Sequence, residues 1–172
     1  MFFPPKVKLE KVVSADRSRP VLSHTYLRAD PNDPTRGTLE ACDTYKLARV
    51  PVELEEGDTE GLLTVESLKA AQKANRLRPR LSANGTADVP GGPSFPRPEE
   101  GTFPNTATLI PEGEIAFTVG INAKFLHELA QGLGVDAVRL DFLKVGDEPS
   151  AVRPIQVRPI GGQGDGLIMP IR

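Results

Sequence analysis

The sequence has very little of several residue types that mark specialised classes of protein. It has one cysteine, Cys42, and two histidines, so it lacks the residues for an internal disulfide and for the usual zinc sites. No apolar run approaches the ~20 residues that a bilayer-spanning helix needs. Residues 1–5 are too short and too rich in proline for a signal peptide. These features predict a cytoplasmic protein with no membrane segment, metal or cofactor.

Motifs of familiar catalytic sites are also missing. The sequence contains no Gly-x-Ser-x-Gly, no Gly-x-x-x-x-Gly-Lys and no His-Glu-x-x-His. The glycines at 161–166 precede a predicted strand, whereas a phosphate-binding loop precedes a helix. His127 lies on a predicted helix without a positioned partner, which is weak support for catalysis. We therefore predict a non-enzymatic protein, and an enzyme is the less favoured alternative.

What the sequence does have is charge that is segregated along the chain. The net charge of −2 gives no overall basic excess of the kind typical of nucleic-acid-binding proteins. Five basic and no acidic residues lie within 69–80, and five acidic and no basic residues lie within 53–60. The basic cluster fits contact with DNA phosphates without base readout, and it fits an ordinary solvated helix face equally well.

Hydrophobic spacing predicts three helices, each followed by strands. The helices are expected at 7–13, at 65–75 with Thr64 as N-cap, and after Asn122 as N-cap, with an apolar stripe that ends before Gly134. Strands are expected at 21–28, at 115–120, 138–145, 152–157 and 167–171, and as two stretches within 38–52. Asn84-Gly85 predicts a hairpin turn, and the proline-rich residues 89–101 predict a loop.

These elements group into three similar units, near 1–56, 61–111 and 113–172, which indicates an internal repeat. Helices on one face of antiparallel sheets predict the α+β class. The last residues, 167–171, are apolar and contain a methionine. They fit either a core strand or the lining of a hydrophobic groove, because methionine suits adaptable binding surfaces.

Five segments resemble, in the same order along the chain, landmarks of the bacterial DNA polymerase III beta sliding clamp family. They are Arg19-Pro20-Val21-Leu22, residues 41–48 (Ala-Cys-Asp-Thr-Tyr-Lys-Leu-Ala), residues 103–111, residues 121–126 (Ile-Asn-Ala-Lys-Phe-Leu) and Met169-Pro170-Ile171-Arg172. The resemblance implies DNA-clamp-like repeats. Residues 1–111 would correspond to the clamp's middle domain, and residues 112–172 to the second half of its last domain, which completes a pocket for partner peptides.

The resemblance implies which residues form that pocket. They are Leu22, Cys42, Thr44, Tyr45, Lys46, Leu47, Pro111, Asn122, Phe125, Val152, Pro154, Leu167, Met169, Pro170, Ile171 and Arg172. The apolar members would bury the leucine and aromatic side chains of a partner, unless they simply form core. Relatives have Gly-His where this chain has Thr44-Tyr45, so we expect the preferred peptide motif to differ.

The resemblance also implies DNA-facing residues: Lys8, Lys11, Lys69, Lys73, Arg76, Arg78 and Lys124. The expected partners are DNA bound without sequence specificity, further copies of the chain, and polymerase, clamp-loader or repair proteins with a clamp-binding motif. The family's head-to-tail contact uses parts that have no counterpart in this sequence. Two functions therefore stay open: a sliding clamp that tethers partners at DNA, and an adaptor or decoy that binds clamp-dependent proteins without encircling DNA.

Overall fold

The computed structural model describes residues 1–16, 18–98, 101–142 and 154–171. Two residues of the predicted pocket, Val152 and Arg172, lie outside the described residues. The chain divides into two compact units, Met1–Ile110 (unit 1) and Pro111–Arg172 (unit 2). No helix within the described ranges has the length and apolar character to cross a membrane.

Within the described residues, unit 1 contains seven strands and one α-helix. In chain order they are β1 (Thr25–Asp30), β2 (Asp33–Cys42), β3 (Leu47–Glu53), β4 (Gly61–Leu63), α1 (Val65–Ala74), β5 (Ser82–Asn84), β6 (Thr86–Asp88) and β7 (Ser94–Pro96). They form two antiparallel sheets, with strand orders β3-β2-β1-β4 and β5-β6-β7. Short 3-10 helices occur at Leu9–Lys11, Pro20–Ser23 and Thr106–Leu109.

Unit 2 contains one α-helix and one antiparallel sheet. Its elements are α2 (Ala123–Gly132), β8 (Val138–Asp141), β9 (Ile155–Pro159) and β10 (Gly166–Ile168), with strand order β10-β9-β8. Leu126 and Leu129 of α2 pack against buried side chains of this sheet, which include Ile155 and Val157. The predicted α+β class, with helices and antiparallel strands in repeated units, is confirmed.

Local capping chemistry fixes where both α-helices begin. The Thr64 hydroxyl accepts a hydrogen bond from the N–H of Ser67 at 3.2 Å, and the Asn122 side-chain oxygen accepts one from the N–H of Lys124 at 3.0 Å. Each bond satisfies a donor that has no partner inside the helix. Gly134 follows α2 with a φ of 67°, which favours glycine at a helix end.

The main core of unit 1 lies on one side of the larger sheet. Leu27 of β1 faces Leu39 of β2 across the ladder, and both side chains are fully buried. Leu68 and Ala71 of α1 pack into the same cluster, so the helix covers this side of the sheet. Alternate residues of β1 and β2 point to the opposite side, which we call the outer face.

Three expectations from the sequence were wrong in detail. Residues 7–13 form only the 3-10 turn Leu9–Lys11, because so short a segment with two adjacent β-branched valines nucleates an α-helix poorly. The first strand begins at Thr25 rather than at 21, because Pro20 starts a 3-10 helix for which its fixed φ is suited. Residues 94–96, predicted as loop, form β7 against β6.

The predicted strand at 115–120 is also wrong. Within the described part of the chain it is reduced to a single bridge between Gly120 and Ile171. Ile115 and Phe117 keep the alternating pattern of a strand, but their side chains are 80% and 51% exposed. Among the described residues, no neighbouring strand pairs with this segment beyond that bridge, although the alternating pattern is present.

Candidate functional site

The outer face of the larger sheet in unit 1 carries a second apolar cluster. Cys42, Leu62 and Phe103 are its buried members. Three predicted pocket residues, Leu22, Cys42 and Leu47, meet in this cluster, together with the half-buried Val21 and Tyr26. Burial raises the pKa of the Cys42 thiol, with further contributions from the nearby Glu40 and Asp43 carboxylates. Cys42 is therefore an apolar packing residue and a poor nucleophile.

Three other predicted pocket residues lie on the turn between β2 and β3. The Asp43 carboxylate closes this turn by accepting hydrogen bonds from the N–H groups of Tyr45 at 2.7 Å and Lys46 at 2.9 Å. The bond from Tyr45 is the main cause of the lowered pKa of Asp43. Thr44 and Tyr45 are exposed, and 95% of Tyr45 is open to solvent. The turn thus holds the backbone of Tyr45 in place and leaves its aromatic ring accessible to a partner.

An ionic network stiffens the outer face beside the apolar cluster. Glu40 is fully buried, and its carboxylate lies 3.2 Å from Arg28 and 3.3 Å from Arg49. The Tyr26 hydroxyl donates to Glu60 at 2.7 Å, and burial followed by this bond raises the pKa of Tyr26 to about 12. Each of these charged groups has a partner of opposite charge, and the Tyr26 hydroxyl stays protonated near neutral pH. Such an arrangement supports a rigid surface rather than proton transfer.

A cleft of about 370 Å³ beside this network is lined by Tyr26, Glu60, Leu62 and Arg97, among others. The Arg97 guanidinium donates to the carbonyl groups of Thr59, Leu62 and Ala83. Within the described ranges, no group of three or more His, Cys, Asp or Glu side chains is arranged to hold a metal ion. The hydrogen-bonded hydroxyl of Tyr26 and carboxylate of Glu60 both line this cleft.

In unit 2 the predicted pocket residues form an exposed apolar strip after β9. Leu167, Met169 and Ile171 alternate along the chain and are 64%, 60% and 56% exposed. Ile168, between them, is buried against the sheet core. Phe125 of α2 is 56% exposed, Pro154 and Pro111 are exposed, and Asn122 serves as the cap of α2. Because alternate residues of an extended segment point to opposite sides, Leu167, Met169 and Ile171 all face outward and are available to a partner.

The predicted DNA-facing residues are all exposed. Five of them have no carboxylate within 4.0 Å in the part of the chain that the structure describes: Lys8, Lys11, Lys69, Lys73 and Arg76. The other two are paired, Arg78 with Glu53 at 3.2 Å and Lys124 with Glu128 at 3.6 Å.

Four of the free cations belong to neighbouring segments of unit 1. Gln72 of α1 donates to the carbonyl of Val7, and Leu9, Leu68 and Ala71 share one core cluster. The 3-10 turn therefore lies beside α1, with Lys8 and Lys11 on one segment and Lys69 and Lys73 on the other. We call these four residues and Arg76 the basic face. Their uncompensated charge is the type that attracts a polyanion.

Known structures share this fold, although no protein-family model and no curated protein matches the sequence. A crystal structure of the C. crescentus beta sliding clamp, with polyethylene glycol bound at a proposed beta-motif tethering region, superposes with a TM-score of 0.65 at 14% identity. The match covers 94% of this chain and 46% of that one. The fold is sliding-clamp-like. The beta subunit from DNA polymerase of Streptococcus pyogenes gives a TM-score of 0.55 at 15% identity, covering 100% of this chain and 65% of that one.

The chain thus spans less than two thirds of the length of either of these proteins, and at these identities the likeness is one of fold. Sequence reasoning did not assign three contributors to the apolar cluster, Tyr26, Leu62 and Phe103. The Tyr26 and Phe103 rings stack with centroids 5.0 Å apart, although 77 positions separate them in the sequence. Residues 103–111 were part of the resemblance, which was the one signal that pointed to this segment.

Proposed function

We propose that this clamp-like protein binds DNA through the basic face and tethers partner proteins by holding a short peptide of theirs on an apolar surface. The observation that carries the proposal is the exposed strip of Leu167, Met169 and Ile171 at the end of a clamp-like repeat. The partners would be polymerase, clamp-loader or repair proteins in the cytoplasm. In this proposal the protein is a binding component of replication or repair and not an enzyme.

The apolar strip supports peptide binding on energetic grounds. Three large side chains that are more than half exposed represent a surface that water solvates poorly. Burying two apolar side chains of a partner against them would supply roughly 3–6 kcal/mol before ordering costs, and further contacts of the peptide would supply the rest of the ~8 kcal/mol that micromolar binding needs. The resemblance assigns Leu22, Leu47 and Tyr45 of unit 1 to the same peptide, and that assignment stays a prediction.

A fluorescence titration with a labelled peptide rich in glutamine and leucine tests the peptide site. We expect saturable micromolar binding, and we expect Met169→Ala to weaken it about tenfold, because about 1.5 kcal/mol of apolar contact is lost. Ile160→Ala is the matched control, because Ile160 is 61% exposed, Met169 is 60% exposed, and Ile160 lies outside the strip. Equal affinities of both variants and the wild type would remove the strip from the site.

The second candidate function is an adaptor or decoy that binds the same peptides without DNA. The net charge of −2 favours it, because the basic face is a local feature of a chain with no overall basic excess. The two functions differ in one measurement. An adaptor would bind the peptide and show no salt-sensitive affinity for double-stranded DNA, whereas a clamp would show both.

A further inference from the structure

Unit 1 holds the first two of the three repeats predicted from the sequence, near residues 1–56 and 61–111. These two repeats complete each other's sheets by exchanging their first segments. β4 opens the second repeat and pairs with β1 of the first repeat, with Leu63 opposite Thr25 and Gly61 opposite Leu27. In return, residues 1–3 of the first repeat lie along residues 79–81 of the second. The N–H of Leu81 donates to the carbonyl of Met1 at 3.0 Å, and Phe2 bridges Arg80.

The third repeat, in unit 2, has the same parts in the same order. Residues 113–121 precede α2 as β4 precedes α1. Gly120 bridges Ile171 near the end of its own repeat, just as Phe2 bridges Glu53 near the end of the first repeat. Phe2 has a second bridge, to the other repeat, and Gly120 has no such second bridge among the described residues. β8 lies at the edge of the β10-β9-β8 sheet, and its position after the helix corresponds to that of β1.

The third repeat shows no such exchange within the residues that the structure describes, and its apolar side chains are more exposed. Four residues of α1 are buried, whereas none of the ten residues of α2 is buried. The third residue after the N-cap is fully buried in α1, where it is Ser67, and 56% exposed in α2, where it is Phe125. Phe117, from the first segment, and Phe142, just after β8, are 51% and 42% exposed, with ring centroids 5.4 Å apart.

We propose that unit 2 forms a symmetric dimer with unit 2 of a second copy, in which residues 113–119 of each copy pair antiparallel with the edge strand β8 of the other. Within its described residues, unit 2 carries an unpaired β-prone segment and an open strand edge. In a dimer with a two-fold axis, the segment of each copy pairs with the open edge of the other, so both segments and both edges gain a partner. Strand addition supplies main-chain hydrogen bonds and covers the otherwise exposed Ile115 and Phe117. The proposal rests on the self-association expected of a clamp and does not need peptide or DNA binding.

Sedimentation equilibrium over a range of protein concentrations tests this interface. We expect a dimer whose dissociation constant rises at least about tenfold in Phe117→Lys, because the substitution places a charge in a buried apolar contact. Ala116→Pro should act similarly, because proline removes a ladder N–H and fits a strand poorly. Both side chains are exposed within one copy, so neither change should unfold the monomer, which circular dichroism verifies. Ile160→Lys, outside the segment and the edge, should leave the dimer unchanged.

Hydrogen exchange gives a second measurement that needs no variant. Amides of residues 113–119 and 138–141 should exchange more slowly at concentrations where the dimer forms than at dilution. A protein that stays monomeric, or a dimer that leaves these amides unprotected, would overturn the proposal. A failure of the dimer can be distinguished from a failure of the proposed function by titrating the peptide into Phe117→Lys. The apolar strip is intact in that variant, so it should still bind the peptide.

Discussion

Asp58→Asn is expected to lower the free energy of unfolding by about 3 kcal/mol, since removing one partner of a buried ion pair leaves the other uncompensated. The Asp58 side chain is 2% exposed and pairs with the α-ammonium group of Met1, which is fully buried. Its two oxygens also accept hydrogen bonds from the N–H groups of Glu55 at 2.9 Å and Ala83 at 2.8 Å. Asparagine loses the charge and turns an N–H donor toward one of these donors.

The Asp58 contribution should also depend on pH. Burial on its own would raise the pKa of Asp58, but the hydrogen bond from the Met1 ammonium and those from the backbone outweigh it, so the pKa is lowered. A lowered pKa means that the stabilisation is complete above the unfolded-state pKa of about 3.9 and is lost as the pH falls through the folded-state value. Wild type and Asp58→Asn should therefore differ most near neutral pH and converge in acid.

Urea denaturation at pH 7 and at acid pH measures both effects. Glu56→Gln is the matched control, because Glu56 is an exposed carboxylate two positions away in the same connection, and we expect a change within about 0.5 kcal/mol. A loss of less than about 1 kcal/mol in Asp58→Asn at pH 7 would show that the buried pair contributes little beyond its desolvation cost.

The elements that the sequence predicted best are those specified by residues close to them along the chain. Thr64 and Asn122 lie one residue before α1 and α2, because a side-chain cap acts within three residues of the helix start. The hairpin at Gly85, with its φ of 70°, is equally local. The strand expected at 115–120 failed for the opposite reason. Alternation specifies a strand only when a neighbouring strand supplies its hydrogen bonds, and none does so there within the described ranges.

The candidate site was also predicted only in part. Resemblance to a family placed Cys42 and Tyr45 in one pocket, but their exposed fractions are 4% and 95%. That difference arises because β2 ends at Cys42, whose side chain points into the outer-face cluster, while the turn points Tyr45 outward. The stacking of Phe103 on Tyr26 depends on a contact between distant segments, for which hydrophobic periodicity carries no signal.

Lys69→Glu combined with Lys73→Glu is expected to weaken binding to double-stranded DNA about a hundredfold at low salt, because two phosphate contacts become repulsive. Both lysines lie one turn apart on the exposed side of α1, opposite the buried Leu68 and Ala71. Losing two contacts should also reduce the slope of log affinity against log salt by about 2. Fluorescence anisotropy with a labelled duplex at several salt concentrations measures the affinity and the slope together.

The control for this pair is Arg19→Glu combined with Arg36→Glu, which makes the same change in net charge at exposed arginines outside the basic face and outside β8. We expect the control to lose only a few-fold in affinity, through the long-range field alone, with no change in slope. If both double variants lose affinity equally, net charge and not the basic face governs binding. If neither loses affinity while the peptide still binds, the adaptor function is favoured, because a clamp that acts on DNA needs attractive charge on the surface that meets the phosphates.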